Sequence, residues 1–113
     1  RGLARAYRRL PWLIGDALNT AEDEEGERAY GHFAADTGLP ESTLYDFARV
    51  ARIWKKSDRT VELPWSYYRD VGSDVSVGRR VLASTLKMGW SREQMRQCLK
   101  RIRQMEEQDF STE

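Results

Sequence analysis

"FAADTGLPESTLYDFARV", residues 33–50, decides how this chain folds. Ala34 is small, Gly38 follows four positions later, and Leu39, Leu44 and Phe47 return to one side of the segment after the glycine. That pattern describes two helices packed closely across a tight turn. The small residue lets the backbones approach, glycine accepts a left-handed conformation, and the later apolar residues fall back onto the first helix. The spacing predicts a helix from about Glu27 to Thr37 that buries Ala29, Tyr30, Phe33 and Ala34. A second runs from about Glu41 to Lys55, with Leu44, Phe47, Ala48, Ala51 and Trp54 as its apolar stripe.

Working outward, the pattern stays helical nearly throughout. Proline occurs only at 11, 40 and 64. Pro11 suits the first position of a helix whose face holds Trp12, Leu13, Ala17 and Leu18. The acidic run "AEDEEGE", residues 21–27, reads as a loop or frayed joint because of Gly26. "KKSDR" is a polar break, and Thr60–Leu63 is the one stretch that suggests an extended piece. "LPWSYYRDV", residues 63–71, reads as a short helix entered through Pro64. A fifth helix, about Ser76 to Met88, buries Val77, Val81, Leu82 and Leu86. After "GWS", Ser91 caps a last helix and Gln94 closes a capping box with it. That helix buries Met95, Cys98, Leu99 and Ile102, and its acidic tail is expected to fray. The expected fold is all-α, about six short helices, a domain containing a helix-turn-helix. Its parts are an N-terminal helix and acidic loop (1–26), the helix-turn-helix domain (27–103) and an acidic tail (104–113). Trp12, Trp54, Trp65 and Trp90 are expected as core anchors rather than as a ladder for stacking bases.

Composition narrows the function classes. With 113 residues, 40% hydrophobic, the chain suits one domain with a small core. No apolar run approaches the ~18 residues of a membrane span, and no signal-peptide core is visible. The chain starts at Arg1 rather than at a methionine, so a longer parent protein is left open. Cys98 is the only cysteine and His32 the only histidine, which excludes a disulfide framework, a His-based triad and a multi-His metal site. No cofactor or metal is expected. A reducing, cytoplasmic setting fits the single cysteine.

The net charge of +1 conceals an asymmetry. Residues 21–48 hold eight acids and one base, whereas residues 49–103 hold fourteen bases and five acids. A surface that concentrates lysine and arginine attracts a polyanion by releasing its counterions. The competing explanation is that acidic and basic segments fold against one another. On the outer side of the second helix, Ser42, Thr43 and Tyr45 suit phosphate or base contacts and Arg49 suits guanine or phosphate. Arg52, Lys55, Lys56 and Arg59 extend a positive track beyond them, with Arg69, Arg79 and Arg80 as further backbone contacts. A carboxylate such as Glu41 can accept from a cytosine amine, and Asp46 can pair with a neighbour. A second candidate face carries Arg92, Arg96, Gln97, Lys100, Arg101 and Arg103 on the last helix, and which helix pair reads bases is left open. The arginine-rich start, "RGLARAYRRL", reads first as a solvated helix start, with a minor-groove arm or a partner surface as alternatives.

The order of "FAADTGLPESTLYDFARVARIW", "LPWSYYRDV" and "RRVLASTLKMGWSREQMRQCLKRI" resembles the central DNA-binding domain of ParB-like proteins, the partition proteins and KorB-type repressors. "LPWSYYR" stands where that family has an "LS.GHAR" segment, and "GWSREQMR" where it has "G.SVRE". The resemblance covers about residues 30–103 and rests on shared order more than on any single motif. It implies DNA contact at Ser42, Thr43, Tyr45 and Arg49, with support from Ser66, Tyr67 and Arg69. The family's histidine position is Tyr67 or Tyr68 here, no arginine-rich nucleotide-binding box is visible, and no dimerisation domain follows, so CTP binding is not carried over. The expected function is sequence-specific binding of double-stranded DNA, of plasmid, phage or mobile-element type, in partition or transcriptional control. Such a protein is nucleoid-associated or phage-encoded; its oligomeric state is left open, with a homodimer or a protein partner as the candidates. The alternatives are a protein-interaction module and the accessory domain of a larger DNA-processing protein. No enzyme is expected, since consecutive carboxylates such as "EDEE" do not converge on a metal.

Overall fold

The chain is described by a computed structural model that covers the backbone of residues 2–111 and the side chains of residues 6–108. Arg1 and the last two residues of the acidic tail lie outside the described residues. Among those described there are six α-helices and no strand: α1 (Gly2–Glu25), α2 (Arg28–Thr37), α3 (Glu41–Ile53), α4 (Trp65–Val71), α5 (Val75–Met88) and α6 (Arg92–Ser111). A single 3-10 turn, Lys56–Asp58, follows α3. The chain divides into two compact units, Arg1–Trp65 and Ser66–Glu113.

In the first unit, α1, α2 and α3 pack on one another around Leu18, Ala29, Tyr30, Leu44 and Ala48. α1 is far longer than its sequence signals suggest. It does not start at Pro11; the proline lies inside it. A proline there forfeits one backbone hydrogen bond and crowds the preceding turn, at about 3 kcal/mol. The turn before it is held from outside, because the Arg8 guanidinium donates to the carbonyls of Val61 and Glu62, both at 3.0 Å. The acidic run is also helical as far as Glu25 rather than a loop. Two of its carboxylates have partners: Tyr30 Oη donates to Glu22 at 2.8 Å, and His32 Nδ1 lies 3.0 Å from Glu25. Gly26, at φ +65°, makes the turn instead. The buried side of α1 consists of Trp12, Gly15 and Leu18, with Leu13 and Ala17 exposed, contrary to the expected stripe. The difference is one of phase, since core positions at 12, 15 and 18 recur every three residues and leave 13 and 17 on the far side.

The turn between α2 and α3 forms where the sequence places it. Gly38 adopts φ +73° and its N–H donates to the Ala34 carbonyl. Pro40 stands extended before α3, and its carbonyl accepts from the N–H groups of Thr43 and Leu44. Glu41 in the first turn of α3 suits the positive end of the helix dipole. Leu44, Ala48, Ala51 and Trp54 are buried as expected, while Phe47 is half-buried and meets Trp65 edge-on at 4.8 Å. Trp12 and Trp54 are core anchors; Trp65 and Trp90 are half-buried. Thr60–Leu63 forms a turn, not a strand, with the Glu62 N–H donating to Thr60 Oγ1.

In the second unit α5 packs on α6. Tyr68, Val71, Val81, Leu82, Thr85, Met95 and Leu99 are buried there, while Leu86 is exposed and Val77, Cys98 and Ile102 are half-buried. Asp74 caps α5 by accepting from the Val77 N–H. The box predicted at the start of α6 is present in both directions: the Gln94 N–H donates to Ser91 Oγ, and the Ser91 N–H donates to Gln94 Oε1. α6 is helical to Ser111, through most of the segment expected as an acidic tail. Its last turns are rich in glutamine, glutamate and methionine and contain neither glycine nor proline, so nothing local stops it.

Candidate nucleic-acid interface

The outer side of α3 is electrically divided. At its N-terminal end Ser42 is exposed, Thr43 is half-buried, and Tyr45 stacks on Tyr30 with ring centroids 3.9 Å apart. Burial and the Glu22 hydrogen bond push the Tyr30 hydroxyl up to about 12, so it stays a donor at any ordinary pH. The Tyr45 hydroxyl is raised as well, first by loss of hydration and then by the charges of Glu27, Glu41 and Glu22. A phosphate brought to Tyr45 therefore meets a negative field. Arg49 lies one turn further along, 3.4 Å from Asp46, as an exposed ion pair of the kind worth little in water. Arg52, Lys55 and Lys56 follow, all exposed.

Arg59, placed by the sequence on the same positive track, is turned into the first unit. Its Nη1 and Nη2 donate to the two carboxylate oxygens of Asp16 at 2.7 and 2.9 Å. Nε donates to the Trp54 carbonyl and Nη2 also to that of Ala51, and the guanidinium lies 4.4 Å from the centre of the Trp12 ring. Its side chain is only 11% exposed. Arginine suits this position because its planar fork satisfies a carboxylate bidentately while stacking on an aromatic face.

In the second unit, Asp70 near the end of α4 is the organising group. Its side chain is 8% exposed, and it accepts from Arg92 through both Nε and Nη2 and from Arg96 Nε at 3.2 Å. Arg69 Nε stands 3.6 Å from the same carboxylate. Burial pushes the Asp70 carboxyl up, and the hydrogen bonds from Arg92 and Arg96 outweigh it, so the group stays below its ordinary value. The pair raises Arg92 in turn. Ser66 and Tyr67, expected as supporting contacts, lie half-buried on α4. Beyond Asp70, an open groove of about 510 Å³ runs along α6 past Arg96, Leu99, Lys100 and Arg103 to Glu107. Sequence reasoning found the arginines of α6 but missed Asp70. An acid directly beside Arg69 was the available signal, although the pairing spans 22 residues.

Since the folded-state pKa of Asp70 is depressed, its stabilising contribution is complete above the ordinary aspartate value. It is lost as pH falls from there through the lower, folded value. Acid titration of stability should therefore show a loss beginning near pH 4 in the parent chain. Asp70→Asn should lack that component, and parallel acid curves for the two proteins would refute the assignment.

Among the described residues no cluster of His, Cys, Asp or Glu is placed to hold a metal, and no helix is long and apolar enough to cross a membrane. No family model, curated protein or solved structure matches the chain.

Proposed function

We propose that this chain binds double-stranded DNA and that α6 supplies much of its affinity. The supporting observation is the basic face of that helix. Arg92, Arg96, Lys100 and Arg103 recur at intervals of four, four and three residues, so they share one side over about 16 Å of helix. Asp70 fixes the first two, while Lys100 and Arg103 stand exposed along the groove. A row of this length meets several phosphates of a duplex, and each phosphate it neutralises releases counterions. The two-helix unit α2–α3 supplies the candidate reading element, with Ser42, Thr43 and Arg49 as base contacts and Arg52, Lys55 and Lys56 as backbone contacts. A role in partition or transcriptional control rests on the ParB-like order of segments alone.

The test is duplex affinity as a function of salt. Lys100→Ala with Arg103→Ala should weaken binding to every sequence about equally. It should also reduce the log–log salt slope by about two, one for each phosphate left without its cation. Affinity that is absent, or whose slope ignores both substitutions, would remove α6 from the interface. Binding selection from random duplexes with Arg49→Ala then tests α3. A selected motif that is unchanged favours a second reading, in which the negative field around Tyr45 receives a basic protein partner instead of DNA.

A further inference from the structure

Opposite its buried side, α1 carries an apolar stripe that nothing in the first unit covers. Leu10 is 44% and Leu13 61% exposed, and Ala6, Ala17 and Thr20 are exposed beside them. Their spacing is regular: residues 6, 10, 13, 17 and 20 alternate steps of four and three, and Leu3 and Glu24 fall on the same register. A seam at a mean period of 3.5 residues is the pattern by which one helix packs along another. A single-chain globular domain needs no second such seam, because its core is already served by the other side of the helix.

The charge on α1 says what covers the seam. The flanking position of each heptad is Arg9, Asp16 and Asp23 in turn, and the helix passes from an arginine-rich beginning to the acidic run Glu22–Glu25. Two parallel copies would set arginines against arginines and acids against acids. Two antiparallel copies reverse this. With Leu13 of one copy packed on Ala17 of the other and Leu10 on Thr20, Arg9 faces Asp23 at both ends. Asp16 meets its own equivalent at the centre with its charge already satisfied by Arg59. A large residue opposite a small one is also what close packing of two helices requires. Beside Leu13 the surface hollows to about 350 Å³ between Trp12 and Val61, which leaves room for an apolar side chain from outside.

From the exposed heptad seam and the reversal of charge along α1, we infer that the chain forms a homodimer through antiparallel α1 helices. The inference is independent of DNA binding and is tested without DNA. Sedimentation or light scattering of the whole chain should show a concentration-dependent dimer. Leu10→Glu with Leu13→Glu should abolish it while far-UV circular dichroism stays that of the parent, since both side chains are exposed. Arg9→Glu and Asp23→Arg should each raise the dissociation constant about tenfold, and the two together should restore it to within a few-fold. A chain that is monomeric throughout, or a dimer indifferent to the leucine substitutions, overturns the inference and leaves the seam to another partner. A double charge reversal weaker than either single one overturns the antiparallel arrangement.

Discussion

Gly15→Ala should destabilise the first unit severely, although alanine is the better helix former. In the middle of α1 glycine costs about 0.5–1 kcal/mol relative to alanine, so propensity alone predicts a gain. Packing reverses the sign. A Cβ on residue 15 would stand 2.3 Å from the carbonyl oxygen of Phe47, 2.8 Å from its carbonyl carbon and 3.0 Å from Ala51 Cβ. The first two are backbone atoms of α3, which cannot rotate away as the end of a long side chain can. Relief requires α1 and α3 to separate, and the packing of these two helices dominates the unit. Overpacking of this kind costs about 1–3 kcal/mol, and more where the backbone itself is displaced. At about 4–8 °C per kcal/mol for a unit of this size, the midpoint should fall by roughly 10 °C or more. Gly31→Ala is the internal control. Gly31 also sits inside a helix, but an added Cβ there meets nothing within 4 Å, so it should stabilise by about 0.5–1 kcal/mol. Thermal melts of both variants decide the matter, and equal or higher stability for Gly15→Ala would refute the close approach of α1 and α3.

Arg59→Met should be at least as damaging, for a different reason. Methionine keeps much of the volume against Trp12 but leaves Asp16 without its bidentate partner and removes the donor from the carbonyls of Ala51 and Trp54. Breaking a largely buried ion pair on one side costs about 3–5 kcal/mol, and partial exposure of Asp16 places the expected loss near the lower end. Arg59→Lys should recover little, because an ammonium cannot match the fork to both oxygens. A double-mutant cycle with Asp16→Ala isolates the pair, and coupling within experimental error of zero would show the clamp to be decorative. Lys55→Ala and Lys56→Ala, at exposed positions of the same basic run, should leave the melting temperature unchanged.

The site was legible in its ingredients and not in its roles. Arg49, Arg59, Arg92 and Arg96 look alike in the sequence, each an arginine in the basic block. In the structure Arg49 is an exposed surface pair, Arg59 a packed clamp, and Arg92 and Arg96 ligands of one buried carboxylate. The phase error in α1 has the same origin. Trp12, Leu13, Ala17 and Leu18 form a credible apolar face, and only packing against α3 selects 12, 15 and 18 and leaves Leu13 outside.

By itself the sequence determined that the chain is all-α, that α2 closes on Gly38, and that α6 opens with a Ser91–Gln94 box. These features depend on groups within four residues of one another: a backbone that needs positive φ, a cap that needs a hydroxyl, a recurring apolar position. Tertiary structure decided that α1 runs through Pro11, that Arg59 points inward across 43 residues to Asp16, and that Asp70 gathers Arg92 from 22 residues away. Each of these is set by which helix faces meet, because a charged group takes its partner from whatever packing brings within reach, and no local pattern encodes that choice.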